Sequence, residues 1–144
     1  MVSARRLISS GSSFERLAGY SRAVVDGRDV HVSGTTGFDY TTMTIDEDLL
    51  VQTRQCLANI AGALAQAGCT LDDVVRVRYL FTDAAFFERA APLFGEAFAR
   101  ARPAATAMIV GLVDPRIKIE IEVDARVPGS EAPPVHDWGL QPGA

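Results

Sequence analysis

The chain has 144 residues, 48% of them hydrophobic and 22% charged, with a net charge of −4, a mean hydropathy of +0.12 and a pI near 5.1. One domain of this size buries roughly two thirds of its unfolded surface and needs no disulfide or metal to hold it, and no apolar run reaches the ~18 residues of a membrane span. The acidic balance disfavours nucleic acid, which is gripped through basic patches; the nearest thing to one is the pair Arg100 and Arg102.

Residues 5–10 read as a short strand, broken by Gly11-Ser12-Ser13, after which a loop through Phe14 and Leu17 leads to Gly19. Apolar runs at 20–25 and 30–33 flank Asp26-Gly27-Arg28-Asp29. Asp-Gly between β-branched runs predicts a hairpin, because glycine tolerates the positive φ of a tight turn. Ser33-Gly34-Thr35-Thr36-Gly37 is expected to end the second strand in a hydroxyl-rich loop. From Ile45 the period changes: Ile45, Leu49, Cys56, Ile60 and Leu64 draw one helical stripe. Thr44 is the expected N-cap, Asp46, Glu47 and Asp48 suit the positive helix start, and Gly68 closes the end.

Residues 74–82 predict a strand with Val75, Val77, Tyr79 and Phe81 on one face and Arg76 and Arg78 on the other. A second helical region over 84–100 carries Phe86, Phe87, Leu93, Phe94 and Phe98. Pro92 cannot donate a mid-helix hydrogen bond, so a short turn followed by a new helix is expected there. Strands follow at 106–111 and 118–127. In the latter, Ile119, Ile121, Val123 and Ala125 oppose Lys118, Glu120, Glu122, Asp124 and Arg126. Residues 128–144 are Pro/Gly-rich and aperiodic, a peripheral tail in which Trp138 is suited to anchoring. The expected organisation is one α+β domain, residues 1–127, in the order β-β-β-α-β-α-β-β. Its two main helices gather on one face of a mixed or antiparallel sheet.

Cys56 and Cys69 lie in no CxxC or zinc-type spacing and read as packing thiols of a reducing cytoplasm. Arg5-Arg6 precedes no apolar segment, so no secretory signal is expected. No metal is expected, since His31 lies in a strand and His136 in the tail without ligands at suitable spacing. No serine occupies a nucleophile elbow, and Gly34 and Gly37 open no phosphate-binding turn before a helix. Glu120 and Glu122 share a sheet face, about 6–7 Å apart. Two readings stand at this point: cross-strand pairing with Arg76, Arg78 or Lys118, or service by Glu120 as a general base or water-positioning group.

Several stretches carry a resemblance. Gly19-Tyr20-Ser21-Arg22-Ala23-Val24 and Val32-Ser33-Gly34 are followed by Gln52-Thr53-Arg54-Gln55 and Ala67-Gly68-Cys69-Thr70-Leu71-Asp72-Asp73-Val74-Val75. Then come Tyr79-Leu80-Phe81-Thr82-Asp83, Arg102-Pro103-Ala104 and Lys118-Ile119-Glu120-Ile121-Glu122. In order and spacing this resembles the Rid family, the YjgF-like reactive intermediate deaminases. The resemblance implies a chorismate-mutase-like fold and a homotrimer with clefts between neighbouring subunits, an outlet for the apolar composition. It also implies cofactor-free hydrolysis of imines or enamines with release of ammonia.

By the same match, Tyr20 edges the cleft, Ser33 and Gly34 line its floor, and Glu120 positions water or relays a proton. Backbone donors near Gly34 and Ala107, with the hydroxyls of Thr35 or Thr106, would steady the intermediate. The family's carboxylate-clamping arginine corresponds here to Ala105, in Pro103-Ala104-Ala105-Thr106. The chain thus resembles an arginine-lacking branch, and 2-aminoacrylate is not its expected substrate. Arg102 is three residues away and, on an extended chain, would face the opposite side. Two alternatives are a binder that holds a small metabolite in the same cleft without turnover and an endoribonuclease or translation inhibitor; the acidic charge and lack of a histidine pair oppose the latter.

Overall fold

The computed structural model describes residues 5–129. The tail readings that involve Trp138 and His136 lie outside the described residues. In chain order the elements are β1 (Arg6–Ile8), α1 (Ser13–Ala18), β2 (Ala23–Asp26), β3 (Asp29–Thr36), β4 (Phe38–Asp39), β5 (Thr44–Ile45) and α2 (Leu49–Gln66), followed by β6 (Val74–Phe81), α3 (Ala85–Ala97), β7 (Ala104–Ile109) and β8 (Ile119–Arg126). Six strands form one sheet in the order β1-β2-β3-β8-β6-β7. Only β6 and β7 pair in parallel, and β4 and β5 make a separate small hairpin.

Alternation makes the sheet two-faced. Val30, Val77, Phe81, Ile119, Ile121 and Val123 are fully buried beneath α2 and α3, while Arg78, Glu120, Glu122 and Asp124 remain half-exposed on the other face. Both β3 and β6 run antiparallel to β8, so they are parallel to each other, and a crossover helix must connect them. α2 makes that connection and α3 makes the β6-to-β7 crossover; the helices cover the same face. The predicted hairpin closes at Asp26 and Asp29, with Gly27 at φ +62°.

Local chemistry revised several expectations. Helix α2 is capped by Asp48, whose Oδ1 accepts from the backbone N–H of Leu50 and Val51 at 2.9 and 3.0 Å. Thr44 and Ile45 instead pair with Phe38 and Asp39 in the small hairpin, so the helix begins at Leu49. Gly68 closes it as expected, at φ +80°, with Cys69 N–H donating back to the Leu64 carbonyl at 2.9 Å. The expected loop through Phe14 is the helical turn α1, capped by the Ser12 hydroxyl.

Helix α3 runs unbroken through Pro92. The proline lies on the exposed side of the helix, as does Glu88, so the carbonyl left without a donor is close to water. A register shift between Val74 and Arg76 puts Val74 in the core and leaves Val75 half-exposed, contrary to strict alternation. Strand β3 continues through Thr36, where a loop was expected. Among the described residues no helix is long and apolar enough to cross a membrane.

Candidate active site

The outer sheet face separates the two carboxylates that sequence alone left ambiguous. Glu122 meets Arg78 at 3.2 Å, Arg78 also reaches Asp124 at 3.6 Å, and Asp124 meets His31 at 2.7 Å. Glu122 is therefore one rung of a cross-strand ion ladder. Glu120 takes no part in it: among the described residues it forms no ion pair. Burial pushes its carboxyl above the ordinary range; the Arg22 charge pulls it down and Glu122 pushes it up again, with a net rise.

A bulge in β3 makes room for this group. Between Val32 and Thr35 the strand carries one residue more than β8 opposite. Ser33 and Gly34 fill the bulge, and a Cβ at Gly34 would stand 2.7 Å from Glu120 Oε1. Glycine leaves room there for the carboxylate and is not selected by backbone conformation, since Gly34 is not among the residues with positive φ. Ser33 Oγ fixes the other side of the bulge by donating to the Ser21 carbonyl at 2.6 Å.

Arg22, which no motif argument singled out as functional, clamps the bulge from beneath. Its Nη1 donates to the Gly34 carbonyl at 2.8 Å and to Thr35 Oγ1 at 3.1 Å. The guanidinium lies over the Tyr40 ring at 4.7 Å and the Tyr20 ring at 5.8 Å. It is only 3% exposed, and a buried cation needs an anion. Glu15, 3.8 Å away on α1, provides it. Burial would raise the Glu15 carboxyl, but hydrogen bonds from Ser10 and Ser9 and the charge of Arg22 more than offset this and hold it low. The available signal was an arginine opening an apolar strand, with a glutamate on a segment read as loop.

The remaining sequence candidates divide between two places. Tyr20 is 40% exposed beside Arg22. Thr35 is fully buried, its hydroxyl donating to the Ser33 carbonyl at 2.7 Å, so it braces the bulge and does not face solvent. Ala105, Thr106 and Ala107 lie on the edge strand β7, in register with Val77, Arg78 and Tyr79 of β6. Thr106 Oγ1 accepts from Arg76 Nη2 at 3.1 Å. Ala105 borders a hollow of about 280 Å³ on the helix side of the sheet, lined also by Val77, Tyr79, Phe94, Phe98 and Arg102. Within one chain, then, Glu120 and Ala105 stand on opposite faces.

Arg102 corrects a further expectation. Its φ of +45° is left-handed, which costs a side-chain-bearing residue about 1–2 kcal/mol. Its N–H donates to the Phe98 carbonyl at 3.0 Å, binding the turn to the end of α3. The chain is not extended at this point, so the odd spacing does not separate the two residues: Arg102 and Ala105 border the same hollow. Among the described residues no group of His, Cys, Asp or Glu is arranged to hold a metal ion.

Residues 10–127 match the family model described as endoribonuclease L-PSP. A crystal structure of a YjgF/YER057c/UK114 family member from Mycobacterium tuberculosis is 42% identical with a TM-score of 0.79, over 86% of this chain and 100% of that one. A protein of Streptomyces coelicolor is 31% identical over 121 residues, 83% of this chain and 90% of its own length. The 2-iminobutanoate/2-iminopropanoate deaminase of Capra hircus is 29% identical over 122 residues, 84% of this chain and 89% of that protein. With its mixed sheet and one-sided helices, and matched by the family model over residues 10–127, the chain belongs to the YjgF/Rid family.

Proposed function

We propose that this protein is an imine or enamine deaminase that works as a homotrimer, in clefts shared by neighbouring subunits, without a cofactor and in a reducing cytoplasm. The observation that carries the reading is Glu120: a half-buried carboxylate, set against a glycine and left out of the ion ladder on its own strand. A group so placed can exchange a proton near neutral pH more readily than an ordinary exposed glutamate. The goat relative named above is a 2-iminobutanoate/2-iminopropanoate deaminase, which supports the reaction class.

In this mechanism Glu120 takes a proton from water as the water oxygen bonds to the carbon of the protonated imine (C=NH2+), giving a neutral carbinolamine. Return of that proton to nitrogen and loss of the hydroxyl proton break the C–N bond, leaving a carbonyl and ammonia. Tyr20, with backbone donors at Gly34 and Ala107, would border the reacting carbon, and Ser33, Thr35 and Thr106 would hold those backbones in place. Because Glu120 and Ala105 face opposite ways in one chain, a cleft using both draws them from different copies. Ala105 presents a methyl group where carboxylate recognition would call for a guanidinium, so 2-aminoacrylate is not the expected substrate.

The same methyl group favours one second reading, a cleft that binds a small metabolite without turning it over. An amino-acid oxidase that generates imines in the presence of the protein separates the two. Faster ammonia release by wild type, reduced about a hundredfold or more in Glu120→Gln, supports the deaminase. No acceleration with any imine, alongside saturable binding of the corresponding ketone, supports the binder.

A further inference from the structure

Stability alone does not account for Arg22. Its ion pair with Glu15 spans 3.8 Å, and its Nε is buried with no hydrogen-bond partner among the described residues. A buried ion pair of this kind is often no more stable than apolar side chains packed in its place, and an unsatisfied buried donor in a native fold calls for another reason. The contacts point to one. Ser33 and Gly34, in the bulge, have no register partner on β8. Arg22 Nη1 holds this segment through the Gly34 carbonyl and Thr35 Oγ1. The guanidinium also lies over the Tyr40 ring, and Tyr40 Oη accepts from the Thr36 N–H at 3.1 Å. Gly34 is the residue against which Glu120 rests, and Thr36 is the register partner of Glu120 on β3. This cation is thus joined to both backbone positions that confine the carboxylate. Ser10 secures the far end, its N–H donating to the two Glu15 oxygens at 3.2 and 3.3 Å.

We propose that Arg22 is a positioning residue of the reaction: it fixes the bulge, and with it the Glu120 carboxylate, while Glu15 and Ser10 hold the guanidinium to that task. The inference rests on the deaminase reading and adds to it a residue that acts without touching substrate. Two independent observations carry it: hydrogen bonds to the bulge beside Glu120, and a buried charge whose own hydrogen bonding is left incomplete. The arrangement has an electrostatic consequence. Burial raises the Glu120 carboxyl, Arg22 from β2 pulls it down, and Glu122 on its own strand pushes it up again. Other charges nearby are turned elsewhere: Lys118 to the Glu47 carbonyl, and Arg78 of β6 to Glu122 and Asp124. From α2 comes Cys56, which burial keeps as the neutral thiol. The register partners of Glu120, Thr36 and Leu80, do not titrate. Removal of the Arg22 charge should therefore leave Glu120 protonated to higher pH.

The full chain with labelled glutamate carboxyl carbons tests this both with and without turnover. NMR follows the Glu120 signal, assigned by its loss in Glu120→Gln, through a pH titration. Ammonia release from oxidase-generated imines gives the pH–rate profile. Arg22→Gln should move both the titration midpoint and the acid limb of kcat/KM to higher pH, and lower the plateau rate by about tenfold or more. Arg22→Lys keeps the charge, so its midpoint should stay near that of wild type, with a rate loss within about tenfold. Glu15→Gln/Arg22→Gln removes both buried charges; it should recover the melting temperature lost in Arg22→Gln but neither the midpoint nor the rate. The double variant carries both readouts if the single one unfolds. A midpoint unmoved by loss of the Arg22 charge, or a double variant that regains the wild-type rate along with stability, overturns the proposal. A moved midpoint without ammonia release from any imine leaves the hold of Arg22 on Glu120 standing and removes the deaminase reading. Rapid imine hydrolysis with an unaltered pH profile in Arg22→Gln does the reverse.

Discussion

Gly34→Ala separates the working of Glu120 from the stability of the sheet that carries it. The added Cβ would lie 2.7 Å from Oε1, 3.1 Å from Cδ and 3.5 Å from Cγ of Glu120. Carbon and oxygen without a covalent link settle near 3.3–3.6 Å, so the carboxylate must retreat by about 0.6–0.9 Å. The atoms it meets are the far end of a rotatable side chain, and the retreat costs roughly 0.5–1.5 kcal/mol of rotamer strain. Against this, replacing a glycine outside the left-handed region stabilises by about 0.4–1 kcal/mol through the unfolded chain. The two nearly cancel, and a urea midpoint should place the variant within about 1 kcal/mol of wild type. Activity is another matter: a displacement near 1 Å at a catalytic group costs on the order of a hundredfold. Ammonia release from oxidase-generated imines should fall accordingly, and in a Glu120→Gln background the second change should add little. Full turnover in Gly34→Ala would refute a role for the carboxylate at its present position. A loss above about 3 kcal/mol would show instead that Glu120 has nowhere to go.

Gln52 is fully buried; its Nε2 donates to the Asp46 and Arg116 carbonyls at 2.8 and 2.9 Å and its Oε1 accepts from Lys118 N–H at 2.9 Å. Gln52→Leu should therefore cost about 2–4 kcal/mol, read from urea unfolding, by stranding backbone groups on both sides of the helix start. Glu120→Gln should raise the melting temperature at pH 7: folding raises this carboxyl above 4.5, so its ionised form costs stability at neutral pH. That gain should vanish once the pH falls below the unfolded value and the wild-type group is protonated in both states. Asp48→Ala should lower the melting temperature at neutral pH by removing the α2 cap, and the difference should shrink in acid, as the carboxylate held low by Val51 N–H becomes protonated. Sedimentation equilibrium should return three times 15.4 kDa, and a stable monomer at micromolar concentration would remove the shared cleft.

What the sequence made legible was decided by short-range rules. The hairpin at Gly27, the closure of α2 at Gly68 and the two-faced β8 all follow from glycine conformation and period-two alternation. Thr44 misled because Asp46, Glu47 and Asp48 offer several capping groups in a row, and pairing with β4 selected among them. Val75 misled because a bulge breaks alternation, and bulges have no compositional mark when β-branched residues stand on both sides. The site was harder. Glu120 could be picked out, but its distinction from Glu122 depends on which strand lies opposite and on how far Arg78 reaches. Arg22 was missed, and Arg102 was expected on the wrong side of the strand, because burial in one case and a left-handed turn in the other are set by tertiary packing, which overrides local spacing.

Cys56 lies fully buried at the middle of α2, its Sγ–H donating to the Thr35 carbonyl at 2.9 Å, and burial pushes its ionisation far above the ordinary thiol range. Cys69, 3% exposed, sits just past the same helix, where its backbone closes the last turn. A thiol reagent can reach neither without motion, and the motions differ. Labelling of Cys69 requires only fraying of a helix end, whereas labelling of Cys56 requires the helix to lift from the sheet and from the bulge beneath Gly34. The two rates would thus time local and global opening separately in the unmodified protein. A ligand that seats in the cleft and tightens that bulge should slow the Cys56 clock while leaving the Cys69 clock running.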